Sequence, residues 1–434
     1  MTENTVENEL EQESPVQKKH SDGVITVVLT ADNHLGYTAF GQHPRKREER
    51  QQRLRHAFQQ ATDFAIMQGV DLFIQAGDLF DTTTPDERDR SFVAARLAQL
   101  KQAGVRAFAL GGVHDTATDA QSLLGEALPS PQSSYERLGA LQYFPPLQKH
   151  ETQALEPVIL DIDDIVVGIC GLGVLAGQEG DPLANLRVQS DIERAAITIL
   201  LLHAPIEGLA VGSSLLDTQA LISQSSIEKQ SAFHYILAGY HHSYRHLHIG
   251  QTEVIVAGAT QHVDFSVPDH APGFVFLGLA ADGVRWCNHI SVDTLMLQRL
   301  TIQTEELWRS AETADTPTEI ILARLRPLCD TDAMIQLRLE GELTRRQYHQ
   351  LDLNQIRRYG EEHCFALAID DSALVLLAEQ DVISAETGER FSPREELIAL
   401  IDEKIAATSH EREKRTLQFT KEELLLAMDE IKGR

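Results

Sequence analysis

Five short stretches of this chain end an apolar run in aspartate or histidine. They are "TADNHLG" with Asp32 and His34, "AGDLFD" with Asp78, "GGVHD" with His114 and Asp115, "LLHAPIEG" with His203, and "AGYHH" with His242. A lone aspartate after a strand is usually a turn or cap residue, and a lone histidine is usually a satisfied surface or core side chain. Five tips of the same two residue types point instead to a shared divalent-metal site, because carboxylate and imidazole are donors that hard and borderline ions take. The stretch "AGYHHSYRHLH" at 238–248 alone holds four of the chain's 18 histidines.

The elements before these tips read as a repeating strand, polar tip, helix, strand. "GVITVVLT" is a β-branched run that reads as a buried strand, as do "VDLFIQ", "VRAFAL", "AAITILLL" and "FHYILAG". "RLRHAFQQATDFAIMQ" and "DERDRSFVAARLAQLKQ" have helical apolar spacing, and each stops at a glycine, Gly69 and Gly104. The tips therefore fall at the carboxyl ends of strands, the edge where open α/β sheets build their sites. The chain changes character near Leu295. "TLMLQRLTIQTEELWRSAE", "AMIQLRLEGELTRRQYHQL" and "HCFALAIDDSALVL" predict a small α+β domain, and two acidic-headed helices follow Pro393.

The chain has 434 residues, enough for two or three domains, and 42% of them are hydrophobic. The expected organisation is a disordered acidic leader over 1–22, a catalytic-type domain over 23–295, a small α+β domain over 296–385 and a helical tail over 386–434. No signal peptide and no membrane-length apolar run is visible. The four cysteines, Cys170, Cys287, Cys329 and Cys364, form no C-x-x-C pair and suggest neither a zinc ribbon nor a disulfide framework. A cytoplasmic setting is the simplest one. The net charge of −27 argues against a protein that coats nucleic acid by bulk charge. It leaves two confined basic patches: Arg45, Lys46, Arg47, Arg50 and Arg53 after the first tip, and Arg345, Arg346, Arg357 and Arg358 in the small domain. Each patch reads either as a DNA contact or as a solvated helix face.

The five tips resemble the five motifs of the calcineurin-like metallophosphoesterases, D-x-H, G-D, G-N-H-D, H and G-H-x-H. "HLGY", "GDLFD" and the later "GATQHVDF" and "APGFVFLGL" narrow the resemblance to SbcD-like DNA repair exonucleases. It implies an α/β (α+β) fold, a β-sandwich flanked by helices, with a small capping-like domain and a helical tail. It also implies a divalent cofactor such as Mn²⁺, DNA as substrate, a homodimer, and a separate SbcC-like coiled-coil ATPase partner docked through the C-terminal helices. The chain carries no P-loop of its own. Two ions in such a site acidify a water and clamp phosphoryl oxygens.

By the same resemblance, Asp32, His34, Asp78 and His242 hold the first ion. Asp78 bridges to a second that His203 also binds. His114 protonates the leaving oxygen, and Asp115 orients it. The chain departs from the pattern at two ligand positions, with Val113 in place of asparagine and Tyr240 in place of histidine. His241 is the candidate substitute ligand, provided a turn or bulge redirects it; otherwise it is an ordinary surface histidine. His246 and His248 are expected to face solvent. The leading expectation is a metal-dependent DNA phosphodiesterase, exonuclease or endonuclease, with a weakened second site. A catalytically degenerate scaffold that binds DNA or an ATPase, and a phosphoesterase for non-nucleic phosphates, are the alternatives.

Overall fold

The computed structural model describes residues 23–37, 44–117, 128–146, 154–184, 186–209, 219–263, 265, 271–309 and 316–377, with isolated positions beyond. The leader at 1–22 lies outside the described residues, as does the tail at 386–434 apart from a few single positions.

Two six-stranded mixed sheets form the sandwich. In the first, the order is Gly283–Ser291, Gly273–Ala280, Val24–Thr30, Leu72–Gln75, Arg106–Leu110 and Gln142–Phe144. The last four run parallel to one another, and Gly273–Ala280 runs antiparallel to both of its neighbours. In the second sheet the order is Arg245–Ile249, Thr252–Val256, Tyr235–Gly239, Ile197–His203, Ile165–Gly173 and Val158–Ile162. Its four central strands are parallel. Parallel strands align their carboxyl ends, so the polar tips collect at one edge of each sheet.

Alternation along each strand splits the core into three layers. Val27, Leu29, Ile74, Leu110, Ile199, Leu201 and Leu237 face each other between the sheets. Val28 and Phe73 face Leu54, Phe58, Val93 and Leu97 of helices Pro44–Gln68 and Glu87–Gln102. Leu200, Leu202, Ile236 and Val254 face Ile227 of the short helix Gln224–Lys229 on the far side. Both faces of the central strands are covered, which explains their unbroken apolar runs. The helices stop where the glycines stood in the sequence, with Gly69 at φ +59° and Gly104 at φ +78°. Asp86 caps the second helix by accepting from the Asp89 amide.

A separate parallel three-stranded sheet, with Ala333–Thr344 between Met296–Gln303 and Ala366–Leu377, follows. Helices Pro317–Leu325, Arg345–Gln350 and Leu353–His363 pack around it over their own apolar cluster. Thr316 with Glu319, and Thr344 with Gln347, form reciprocal capping boxes at two of its helix starts. This unit meets the sandwich through Leu295, Met334, Phe365 and Phe265 and through helix Pro44–Gln68. Among the described residues, no helix is long and apolar enough to cross a membrane.

Candidate metal centre

The tips after Val24–Thr30 and Leu72–Gln75 run side by side. The Asp32 amide donates to Gly77 O, and the His34 amide donates to Asp78 O. Asp32, His34, Asp78 and Tyr240 have positive φ, at +48°, +44°, +52° and +79°. Such backbones cost about 1–3 kcal/mol each and persist where the surroundings fix them. Asp and His tolerate this region better than most residues, whereas a buried tyrosine there is an outlier. Glycine is required beside them. A Cβ on Gly112 would stand 2.1 Å from Asp78 Oδ1, and one on Gly77 would stand 2.1 Å from His203 Nδ1.

All five sequence-predicted ligands converge. The donor atoms of Asp32, His34 and His242 lie within 4.8 Å of one another, as do those of Asp32, Asp78 and His203. Asp32 is thus common to both groups, where the sequence reading had made Asp78 the shared carboxylate. Neighbouring groups fix which atom each ligand offers. His203 Nδ1 faces the Ala76 carbonyl at 2.8 Å, and His34 Nδ1 faces Asp81 Oδ1 at 3.0 Å. Both partners only accept, so each Nδ1 carries its proton and each Nε2 is left as the ligand atom. Asp32 Oδ1 accepts from the Tyr240 amide, and Asp78 Oδ1 accepts from the His114 amide. Asp32 Oδ2, His34 Nε2 and His203 Nε2 are then buried with no hydrogen-bond partner. His203 Nε2 lies 3.1 Å from Asp78 Oδ2. Two acceptors placed so close need a cation between them, either a proton or a metal ion.

A family model described as calcineurin-like phosphoesterase matches residues 25–244, just over half of the chain. The chain belongs to the calcineurin-like phosphoesterases. It is a metal-dependent enzyme of phosphodiester hydrolysis, and the donor set fits the divalent ions of that chemistry. Curated proteins named DNA double-strand break repair protein Mre11 are similar to it. The one from Halobacterium salinarum is 24% identical over 318 residues, covering 73% of this chain and 70% of that protein. The one from Methanosarcina mazei is 33% identical over 102 residues, covering 24% of this chain and 16% of that protein. Among solved structures, a dimetal phosphatase from Danio rerio aligns over 63% of this chain and all of its own, with 13% identity and a TM-score of 0.37.

The charges of this phosphoesterase site are strongly coupled. Burial pushes the Asp78 carboxyl up, but His203, His114 and His34 around it hold it well below the usual carboxylate range. Burial raises Asp32 against the pull of His203 and His242. Burial opposes charge on His34 and His203, yet Asp81 and Asp78 beside the first and Asp78 beside the second hold both at about 9.

Several predicted residues have other duties. Asp115 was expected to orient His114. Its Oδ1 instead accepts from Gly112 N, and its Oδ2 accepts from Leu79 N, Phe80 N and the Gln132 side chain. It ties two tip loops together, and burial followed by the nearby Asp78 pushes it up to about 6. A carboxylate beside the His114 ring is that of Asp81, 4.0 Å from Nδ1. Asp81 was overlooked although it ends the quoted "GDLFD". An aspartate three residues beyond a ligand on the same loop is the signal that would have found it.

His241, the candidate substitute ligand, joins none of the donor groups. It is buried, and its Nε2 accepts from the Ile206 amide at 2.9 Å. Val113 and Tyr240, the two departures, sit together in the apolar cluster behind the second sheet. His246 and His248 do face solvent, on a strand missed in the sequence, and both pair with Glu253.

The first basic patch is largely spent inside the protein. Arg50 is fully buried and donates to Gln261 Oε1 and the His262 carbonyl. Lys46 Nζ donates to the Glu361 and Cys364 carbonyls, and Arg53 pairs with Glu49 and Asp332. Only Arg45 and Arg47 of the five are exposed, whereas Arg345, Arg346, Arg357 and Arg358 all are.

Proposed function

We propose that this phosphoesterase is a DNA nuclease of a repair or processing complex, using Mn²⁺ held chiefly by Asp32, His34, Asp78 and His242. The observation that carries the metal reading is the set of buried donor atoms without a hydrogen-bond partner, Asp32 Oδ2, His34 Nε2 and His203 Nε2, which fall in two donor groups that share Asp32. DNA is favoured by the resemblance to the Mre11 proteins and by the exposed arginines of the small unit. The proposed domain division places those arginines in a capping domain over 296–385. An SbcC-like ATPase and a second copy of the chain are the partners this reading supplies.

When bound, the metal would lower the pKa of a water to make the nucleophile at neutral pH. The chain's own contribution is positional. Asp32 and Asp78 set the negative lining, the Nδ1 partners lock His34 and His203 in the ligating tautomer, and His114 brings a proton to the leaving oxygen. Asp81 stands beside that ring, 4.0 Å from Nδ1, as a charged neighbour beyond hydrogen-bond distance.

Titration with Mn²⁺ at pH 7 is expected to show one dominant site. Uptake must release protons, because His34 and His203 hold them up to about pH 9 in the ion-free protein. Protons compete with the ion, so affinity climbs from pH 6 towards pH 9. Calorimetry in buffers of different ionisation enthalpy measures both effects. Equal affinity at pH 6 and pH 8.5, or two equal sites, would contradict the assignment.

The second position gives a gain-of-function test. Val113→Asn with Tyr240→His returns the family's donor types beside Asp78 and His203. Histidine is among the residues that tolerate the φ of +79° at position 240. The double variant is expected to bind a second Mn²⁺, seen by anomalous scattering, and to cleave faster. No second ion and no gain would mean that the surrounding apolar packing no longer accepts one.

A further inference from the structure

Cys329 and Cys364 come together although 35 positions separate them, with Sγ 2.8 Å from Sγ. Cys329 follows the single turn Arg326–Leu328, and Cys364 closes helix Leu353–His363, its amide donating to Gly360 O. Cys364 is buried. Cys329 is half-buried and flanked by exposed Arg326, Pro327 and Asp330. A sulfur–sulfur bond of about 2.05 Å is therefore within reach of a small side-chain rotation. The neighbourhood is a junction. The Cys364 carbonyl accepts from Lys46 Nζ of helix Pro44–Gln68, and Asp332, three residues after Cys329, pairs with Arg53 of the same helix.

We propose that Cys329 and Cys364 are a reversible dithiol–disulfide pair, oxidised by a peroxide, that fastens the small three-stranded unit where it meets the sandwich. Cys329 is the thiol that a peroxide can reach. Its sulfur attacks one peroxide oxygen, the O–O bond breaks, and a sulfenic acid and one water form. Cys364 Sγ then attacks the sulfenic sulfur. The S–O bond breaks, and the hydroxyl leaves with the Cys364 proton as a second water. The two thiols supply two electrons and the peroxide takes them. Burial pushes the Cys364 thiol up to about 12, which suits the resolving role better than the first attack. In a reducing compartment, disulfides are mostly of this transient, sensing kind. The competing description is two small apolar side chains filling the small core.

The two descriptions separate in one experiment on the full-length protein. Reduced protein, freed of reductant, is treated with equimolar hydrogen peroxide, alkylated and digested with trypsin. The expected result is a joined peptide of 325–338 with 359–390, two hydrogens lighter than the sum of its parts. Free thiols fall from four to two and return with dithiothreitol. The oxidised form melts at a higher temperature than the reduced one. Cys329→Ser, a mild change at a half-buried loop, keeps its three thiols under the same treatment; it is preferred to Cys364→Ser, which buries a hydroxyl. Sulfinic acid at Cys329 without a joined peptide overturns the proposal, as does loss of two thiols in Cys329→Ser or equal melting of the two forms.

Discussion

His114→Ala is expected to slow the proposed cleavage of DNA by about 10²–10⁴-fold, the usual contribution of a positioned general acid. Metal uptake by the two donor groups built on Asp32 is expected to survive, because the ring of His114 is in neither and joins only a third group, with His34 and Asp81. The hydrogen bond from position 114 to Asp78 Oδ1 also survives, since its donor is the backbone amide. The leaving group provides the control. A p-nitrophenyl phosphodiester expels a stabilised anion that needs little protonation, so the same variant loses far less on it than on DNA. Asp81→Asn is expected to show a smaller loss with the same leaving-group pattern, because Asp81 acts through the rings of His34 and His114. Rates measured on both substrates decide the matter. Equal losses on both would give His114 a structural duty instead.

Arg50→Glu destabilises the protein by about 3–5 kcal/mol, the scale of an uncompensated buried charge. The guanidinium is fully buried and holds Gln261 Oε1 and the His262 carbonyl, which are both acceptors. A carboxylate there would face the same two acceptors. Chemical denaturation should show the loss as a shifted midpoint at constant slope. Any accompanying loss of DNA binding then follows unfolding and not a lost phosphate contact. Arg346→Glu with Arg357→Glu and Arg358→Glu is the informative contrast, since all three side chains are exposed. That variant keeps its denaturation midpoint and metal. Its log K against log[salt] plot flattens by about 0.9 for each duplex phosphate contact removed. An unchanged slope would place the DNA path away from these helices.

The strands and their clustered polar tips were legible because both rest on local pattern. An apolar run with Asp or His at its end shows a buried strand and its tip without any knowledge of neighbours. The helix stops at Gly69 and Gly104 were legible for the same reason. What the pattern hid depends on partners far along the chain. Arg50 looks like its exposed neighbours Arg45 and Arg47 until the 261–262 loop closes over it. Asp115 and Asp81 are both acids after a strand, and only the packing of two tip loops decides that the second stands by His114. His241 looked available because its sequence neighbour His242 is a candidate ligand; the amide of Ile206, 35 residues away, claims it. The cysteines were read by spacing alone, which cannot see that Cys329 and Cys364 meet.

Donors drawn from four strand ends also set a schedule for synthesis. From Asp32 to His242 the ribosome adds 210 residues, which takes about 10–40 s at 5–20 residues per second. For that interval the nascent chain displays carboxylates and imidazoles whose last companion does not yet exist. The full donor set exists only once the fourth tip is made, so the binding free energy of an ion that needs His242 is added to a chain that already holds all four tips. A pulse-labelled ribosome-bound chain stopped short of position 242 would thus be insensitive to chelator, while the released protein would not.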